Sequence, residues 1–314
     1  MKLNKVIVIL LISAVALSSK CKKDTPTTDY TISYEDEAER YAKDLDSIEH
    51  FLQIHYVNDL GDLDPATYTF DSIPTGGTQT SLWDDARLSY VMTTADADHD
   101  DERIDYKVYY MKFREGTGIN PTYVDSVYVK YKGIVVTGEN AEQEFDRSES
   151  PIWLDLAGGT IRAFSAGTRQ VKNGVFSTNS DGTLNYDDFG AVAFFAPSGV
   201  AYFAQGSGII PTYTPIYFQL ELMAVNTDVD HDHDGILTIY EDVNNNGDVT
   251  DDNTDYDIER YDSHLPNYLD DDDDEVNGHK TIDEGADPNG DGNPDDAEDL
   301  DGDGIPNYLD SDSY

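Results

Sequence analysis

Between Asp230 and Asp242 the chain reads DHDHDGILTIYED. Carboxylates stand at the alternate positions Asp230, Asp232 and Asp234, Gly235 follows, and Glu241 comes after it. A hard cation such as calcium takes about six to eight oxygen ligands, and this spacing supplies alternate oxygens, a tight turn and a late carboxylate. The spacing recurs along the chain. Asp242, Asn244 and Asn246 before Gly247 start a second loop, with Asn253 at its end. Asp273, Glu275, Asn277, Gly278 and Glu284 make a third, and Asp287, Asn289, Asp291, Gly292 and Glu298 a fourth. Asp299, Asp301, Asp303, Gly304 and Asp310 make a fifth, and HLPNYLD (264–270) returns as GIPNYLD (304–310). Repetition at this spacing points to a calcium array rather than a disordered acidic tail. His231 and His233 point only weakly to zinc, because the surrounding oxygens favour a hard ion.

The charge is uneven. The 314 residues carry a formal net charge of -44, which excludes nucleic acid and anionic membrane surfaces as partners. From Asp228 to Tyr314 there are 31 acidic residues against Arg260 and Lys280. Such a segment cannot fold on apolar burial alone; it is disordered or held by cations. The length allows about two domains.

At the other end, MKLNK precedes the apolar run VIVILLISAVAL and the small residues Ser18 and Ser19. This pattern predicts a signal peptide over 1–20, too short to span a bilayer comfortably. Cys21 is the only cysteine. Its place resembles the lipidation site of bacterial lipoproteins, although Lys20 stands where that family prefers a small residue. The resemblance implies export and a lipid anchor in the outer membrane, on the periplasmic or cell-surface face; ordinary secretion is the alternative. Residues 21–33 read as a tether.

The elements between these ends mix helix and strand. Ala38, Tyr41, Leu45, Ile48, Phe51, Leu52 and His55 recur at helical steps between Tyr34 and Tyr56, which predicts a helix there. His50 and His55 are expected to have packing or surface roles in that helix. The acidic run at 93–105 reads as a solvated loop. YKVYYMKF, VDSVYVKYKG, IWLDL and IYFQLELMAV alternate as strands. In the last, Ile216, Phe218, Leu220 and Leu222 are expected inward and Tyr217, Gln219 and Glu221 outward. The class is α+β: a half-solvated antiparallel sheet holding one short helix at TIRAF.

The order of these pieces resembles one family, the FKBP-type peptidyl-prolyl isomerases, over residues 106–226. EGTGINP, VKYKG, FDRS, GGTIRAF and APSGVAYFAQGSGIIPTYTPIYFQLEL resemble that family's successive motifs. The resemblance implies a strongly twisted half-barrel wrapped on a short helix, with an apolar cleft between them. It carries Tyr131, Phe145, Asp146, Ile152, Ile161, Phe164, Tyr202, Ile210 and Phe218 into that cleft, with the Ile161 N–H, after Thr160, and the Tyr202 hydroxyl facing the bound chain's carbonyls. Phe164 stands in place of the family's floor tryptophan, Gly199–Val200 carries one extra residue, and Ser207 replaces a larger residue. About fifteen residues are inserted near 173–188, as a flap over the cleft or at an edge. Residues 34–105 resemble the helical N-terminal extension by which some bacterial members dimerise or hold clients, which implies a homodimer through the N-terminal helix. The acidic tail, 227–314, resembles thrombospondin type 3 repeats.

X-Pro bonds isomerise over a barrier of about 18–20 kcal/mol set by amide resonance. An apolar pocket that strips water and favours the twisted amide needs neither nucleophile nor cofactor. The expected activity is therefore isomerisation of X-Pro bonds in exported polypeptide clients, with structural Ca2+ in the tail and no cofactor for catalysis. A non-catalytic chaperone module and a calcium-dependent surface adhesin are the alternatives. A hydrolase is disfavoured, since every His lies outside residues 106–226.

Overall fold

The computed structural model describes residues 36–58, 68–95, 97, 103–136, 143–254, 256, 264–274 and 279–310. The expected signal peptide, the tether, Cys21, Glu275 and Asn277 lie outside the described residues. Tyr34–Tyr314 forms one compact unit, so extension, sheet region and tail belong together.

The first helix, α1 (Glu37–Ile54), starts at Asp36, whose carboxylate accepts the Glu39 N–H at 2.8 Å and satisfies one orphan donor of the first turn. One face carries Glu37, Tyr41, Asp44, Ile48, Phe51 and Leu52 at three- and four-residue steps. After it come the strands β1 (His55–Asn58), β2 (Thr69–Ser72), β3 (Leu88–Ala95), β4 (Ile104–Arg114), β5 (Ser126–Val135) and β6 (Gln143–Asp155). The short helix α2 (Arg162–Thr168) is followed by β7 (Val175–Thr178), β8 (Leu184–Asp187), β9 (Gly190–Ala196) and β10 (Ile216–Asn226). The fold is α+β. Six strands form an antiparallel sheet in the order β3-β4-β9-β10-β5-β6, while β1–β2 and β7–β8 pair separately.

Both faces of the central strands are covered. On one, Phe164 and Ala163 of α2 pack on Val127, Val192, Phe194, Phe218 and Leu220. On the other, Ile48, Phe51 and Leu52 of α1, with Phe70 and Leu82, pack on Met111, Ile134, Phe195 and Tyr217. The sheet is therefore not half-solvated: Tyr217, Gln219 and Glu221, expected in water, are all buried. The physical reason is the apolar stripe of α1, which closes the face that alternation alone leaves open. The same cover explains β9, GAVAFFA, a continuous apolar strand buried throughout.

Three other expectations change. Residues 34–105 are not a separate helical extension, because β3 within them is an edge strand of the main sheet. The stripe expected to serve a homodimer packs on its own chain, with Ile48 and Leu52 fully buried. His55 begins β1 rather than continuing the helix, stacked on Phe51 at 3.9 Å. The inserted hairpin β7–β8 stands beside Tyr128, whose ring is 5.5 Å from Tyr186, and makes no ring contact with the expected cleft.

If α1 is integral to the fold, Leu52→Ala should lower stability by about 2–5 kcal/mol in denaturant unfolding at concentrations where the chain is monomeric. A change under about 1 kcal/mol would mean that the helix is an appendage.

Candidate functional site

The inner face of the sheet holds a ring cluster built by register. Opposite Phe218 of β10 stands Gly133 of β5, and opposite Leu220 stands Tyr131. On the other side Gly133 pairs with Asp146 and Ile134 with Glu144, so Phe145 is the extra residue of a β-bulge. A bulge re-aims the side chain it inserts. The Phe145 ring lies 5.5 Å from Phe218 and 6.3 Å from Tyr202, edge-on to both. Gly133 makes the room: a Cβ there would sit 2.5 Å from Phe145 Cζ and 2.9 Å from Phe218 Cε1.

Phe164, from α2, is edge-on to Phe218 at 5.3 Å and to Tyr131 at 5.7 Å. Ile210 is buried in the same core, presented by a tight turn in which Ser207 and Ile210 exchange backbone hydrogen bonds. Ile161, at the N-cap of α2, and Tyr202 pack partly buried against the cluster. Ile152 does not join it: on the edge strand β6, opposite Val129, it stays exposed.

The polar groups sit at the rim of the rings. Tyr131 donates its hydroxyl to Asp146 Oδ2 at 2.8 Å. Burial, then the Asp146 hydrogen bond and charge, hold the Tyr131 hydroxyl well above the usual tyrosine range. Burial, then the Asp146 charge, raise Tyr202 likewise, so both stay protonated donors at neutral pH. The Tyr202 hydroxyl makes no hydrogen bond to a described residue, and neither does the Ile161 N–H. Two open donors beside a box of rings suit an apolar chain segment with backbone carbonyls. A cavity of about 570 Å³ adjoins this cluster at Val200 and Ala201 and extends among Arg103, Arg162, Phe203, Gln205 and Asp248.

Asp44 is a part of the site that sequence reasoning missed. Fully buried in α1, it accepts the Ser198 N–H at 2.7 Å and the Ser198 hydroxyl at 2.5 Å, fixing the turn that leads to Tyr202. Its position on the same face as Tyr41 and Ile48 was the available signal: an acid on a buried stripe needs a partner.

A second group of side chains lies in the tail. Asp230, Asp232 and Asp234 bring ligand oxygens within 4.8 Å of one another, and so do Asp234, Glu241 and Asp273. Asp234, Glu241 and Asp273 are each at most 3% exposed, and both oxygens of Glu241 and of Asp273 have no hydrogen-bond partner. Burial and then neighbouring carboxylates push Glu241 up to about 9 and Asp273 up to about 10. Three buried acids facing each other are unfavourable unless protonated or bridged by a cation. The donors are oxygens; His231 instead sits 2.8 Å from Thr238 Oγ1 and 3.1 Å from Asp155 Oδ2. The set fits a hard divalent ion.

The grouping differs from the expected one. Asp273 joins the first loop rather than the third, and Glu284 faces Asp272 and Asp274 and is pushed up to about 7, by burial first. In the second loop, Asp242 accepts the Asn246 N–H at 2.9 Å and the Gly247 N–H at 2.7 Å. Asp252, bound by the Asn244 side chain at 2.8 Å, closes that loop in place of Asn253. The fourth loop folds over Asp287, which accepts the Gly292 N–H at 2.6 Å, past Asn289 and Asp291 to Glu298. In the fifth, Asp299, Asp301 and Asp303 are grouped but exposed, and Asp310 is buried.

No protein-family model and no curated protein matches the sequence. Among solved structures, FkpA from Escherichia coli aligns over 38% of this chain and 48% of its own, at 26% identity and a TM-score of 0.31. The chain thus spans about half the length of that protein. A peptidyl-prolyl cis-trans isomerase from Pseudomonas syringae aligns over 43% of this chain and 81% of its own, at 23% identity and a TM-score of 0.31. The N-terminal domain of FKBP42 from Arabidopsis thaliana aligns over 38% and 86%, at 16% identity and a TM-score of 0.30.

The Gly133 contact gives a test of the ring cluster. Gly133→Ala should displace the Phe145 ring and lower stability by about 1–3 kcal/mol, read by aromatic NMR shifts and denaturant unfolding. Unmoved Phe145 resonances would show that the close approach is absent.

Proposed function

We propose that the chain is an FKBP-type peptidyl-prolyl cis-trans isomerase acting on exported polypeptide clients, tethered by lipid on Cys21 and carrying a calcium-stiffened tail. The observation that carries the reading is the pair of open donors, Tyr202 hydroxyl and Ile161 N–H, beside rings of Phe145, Phe164 and Phe218. The proline ring would lie among the aromatics, away from water. There the twisted amide, which has lost its resonance, is less disfavoured than in solution. Tyr202 and the Ile161 N–H would hold the flanking carbonyls so that rotation occurs about one bond only. Tyr131, locked to Asp146, keeps the wall of the box fixed. Export and the anchor rest on the sequence of residues 1–21. No helix among the described residues is long and apolar enough to cross a membrane.

The isomerase reading is tested with a short X-Pro peptide and the full chain. Tyr202→Phe is expected to lower kcat/KM by about tenfold and Phe145→Ala by more, with the fold intact by circular dichroism. A wild-type protein that folds but gives no rate above solvent would overturn it. A proline-binding module without catalysis would then stand.

The calcium reading rests on the buried Asp234–Glu241–Asp273 group. The double variant Glu241→Gln, Asp273→Asn should lower calcium affinity by at least about tenfold in calorimetry. Chelation should expand the wild-type tail in solution scattering. Unchanged affinity and stoichiometry in the variant would show that this group holds no ion.

A further inference from the structure

Several of the contacts that join the acidic tail to the sheet converge on one short segment. His231 Nε2 lies 3.1 Å from Asp155 Oδ2. Tyr268 packs with Val124 and Val249, against Ala157, and its hydroxyl stands where Gly158 has no side chain: a Cβ would be 2.4 Å away. Asp248 receives Arg162 and, at 2.7 Å, Arg103 on the same oxygen, while Arg103 also reaches Asp251. Residues 155–162 end at Ile161 and Arg162, the N-cap and first residue of α2.

Ala163 and Phe164 anchor that end of α2 in the core, but no side chain caps it. The helix is seven residues long, with no side-chain cap and no acid in its first turn. A cavity of about 200 Å³ beside it, lined by Gly158, Thr160, Arg162, Asp248 and Val249, leaves room to shift. Asp248 is 6% exposed, and its other oxygen accepts the Thr250 hydroxyl at 2.6 Å. The turn around it is bound in turn to the second loop: Asn244 reaches Asp252 at 2.8 Å, and Asn246 reaches Asp251 Oδ2 at 3.1 Å.

We propose that Asp248 is a positioning residue for the ring cluster, fixing the start of α2 through Arg162 and so placing the Ile161 N–H. The inference rests on the isomerase reading of that cluster. Asn244 and Asn246 hold the 248–252 turn, and the turn holds Arg162. The tail therefore does not merely follow the sheet domain; it holds the start of the helix that carries Phe164. Asp248 touches no substrate, so its loss acts on geometry and binding rather than on a chemical step.

The test uses the full-length chain, comparing wild type, Asp248→Asn, Arg162→Ala and Arg162→Lys. Amide hydrogen exchange over 156–168 is the first readout, and KM and kcat on an X-Pro peptide are the second. Asp248→Asn should speed exchange over 156–168 by about tenfold and raise KM about fivefold with a smaller effect on kcat. Exchange in β9 and β10 should stay as in wild type, and Arg162→Lys should recover part of what Arg162→Ala loses. Unchanged exchange over 156–168 in Asp248→Asn, or equal loosening of β9 and β10, would overturn the proposal. A wild type that does not isomerise would defeat the isomerase reading instead, while the exchange pattern still decides whether the tail positions α2.

Discussion

The carboxylate of Asp44 lies wholly out of water between Arg40, at 2.8 Å from its Nε, and the backbone and hydroxyl of Ser198. A charge so placed is tolerable only if its partners are fixed, since losing one leaves it buried and uncompensated. Helix, sheet and Tyr202 loop are thereby locked into one register across 154 positions of sequence. The same constraint returns at each join in the molecule. Glu37 takes the Ala97 N–H at 3.0 Å and the Tyr106 hydroxyl at 2.5 Å. Asp248 takes two guanidinium groups. In the tail Asp234, Glu241 and Asp273 are buried with no ion pair to a described residue, and there the ligand oxygens converge.

The ring cluster depends on a different economy of space. Phe145 reaches it because a bulge frees it from the ladder, and Gly133 lets two rings meet where a methyl group would stand. Phe164 takes up less volume than an indole, and its edge-on contacts with Tyr131, Phe194 and Phe218 close the floor. The resulting surface is rigid and apolar, with its polar groups, the Tyr131 and Tyr202 hydroxyls and Asp146, at the rim.

Much of this was legible in the residues. Alternation placed β4, β5, β6 and β10, and helical periodicity placed α1. Eight of the nine expected cleft residues come together, Ile152 being the exception. The repeated PNYLD segments adopt the same 3-10 turn, with Asn267 and Asn307 both buried. What was not legible depends on distant contacts. Alternation cannot reveal that a helix covers the outer face, so Tyr217 and Gln219 were expected in water. Spacing within one loop cannot reveal that Asp273 turns toward Asp234 and Glu241, or that Asp252 rather than Asn253 closes the second loop. The stripe of α1 marks Asp44 as an acid in need of a partner, but cannot name Ser198, which is 154 residues away.

The hairpin β7–β8 carries Phe176 at 67% exposure, close to Tyr186 and to Trp153 across a shallow apolar hollow. Such a patch on a neutral protein would draw copies together. Here every copy bears a formal charge of -44, and mutual repulsion opposes that approach. The protection has a finite reach: the screening length is about 8 Å at physiological ionic strength and shorter in brine. Colloidal behaviour of this chain is thus set by the surrounding salt, and divalent ions that neutralise the tail also weaken the barrier between neighbouring aromatic patches.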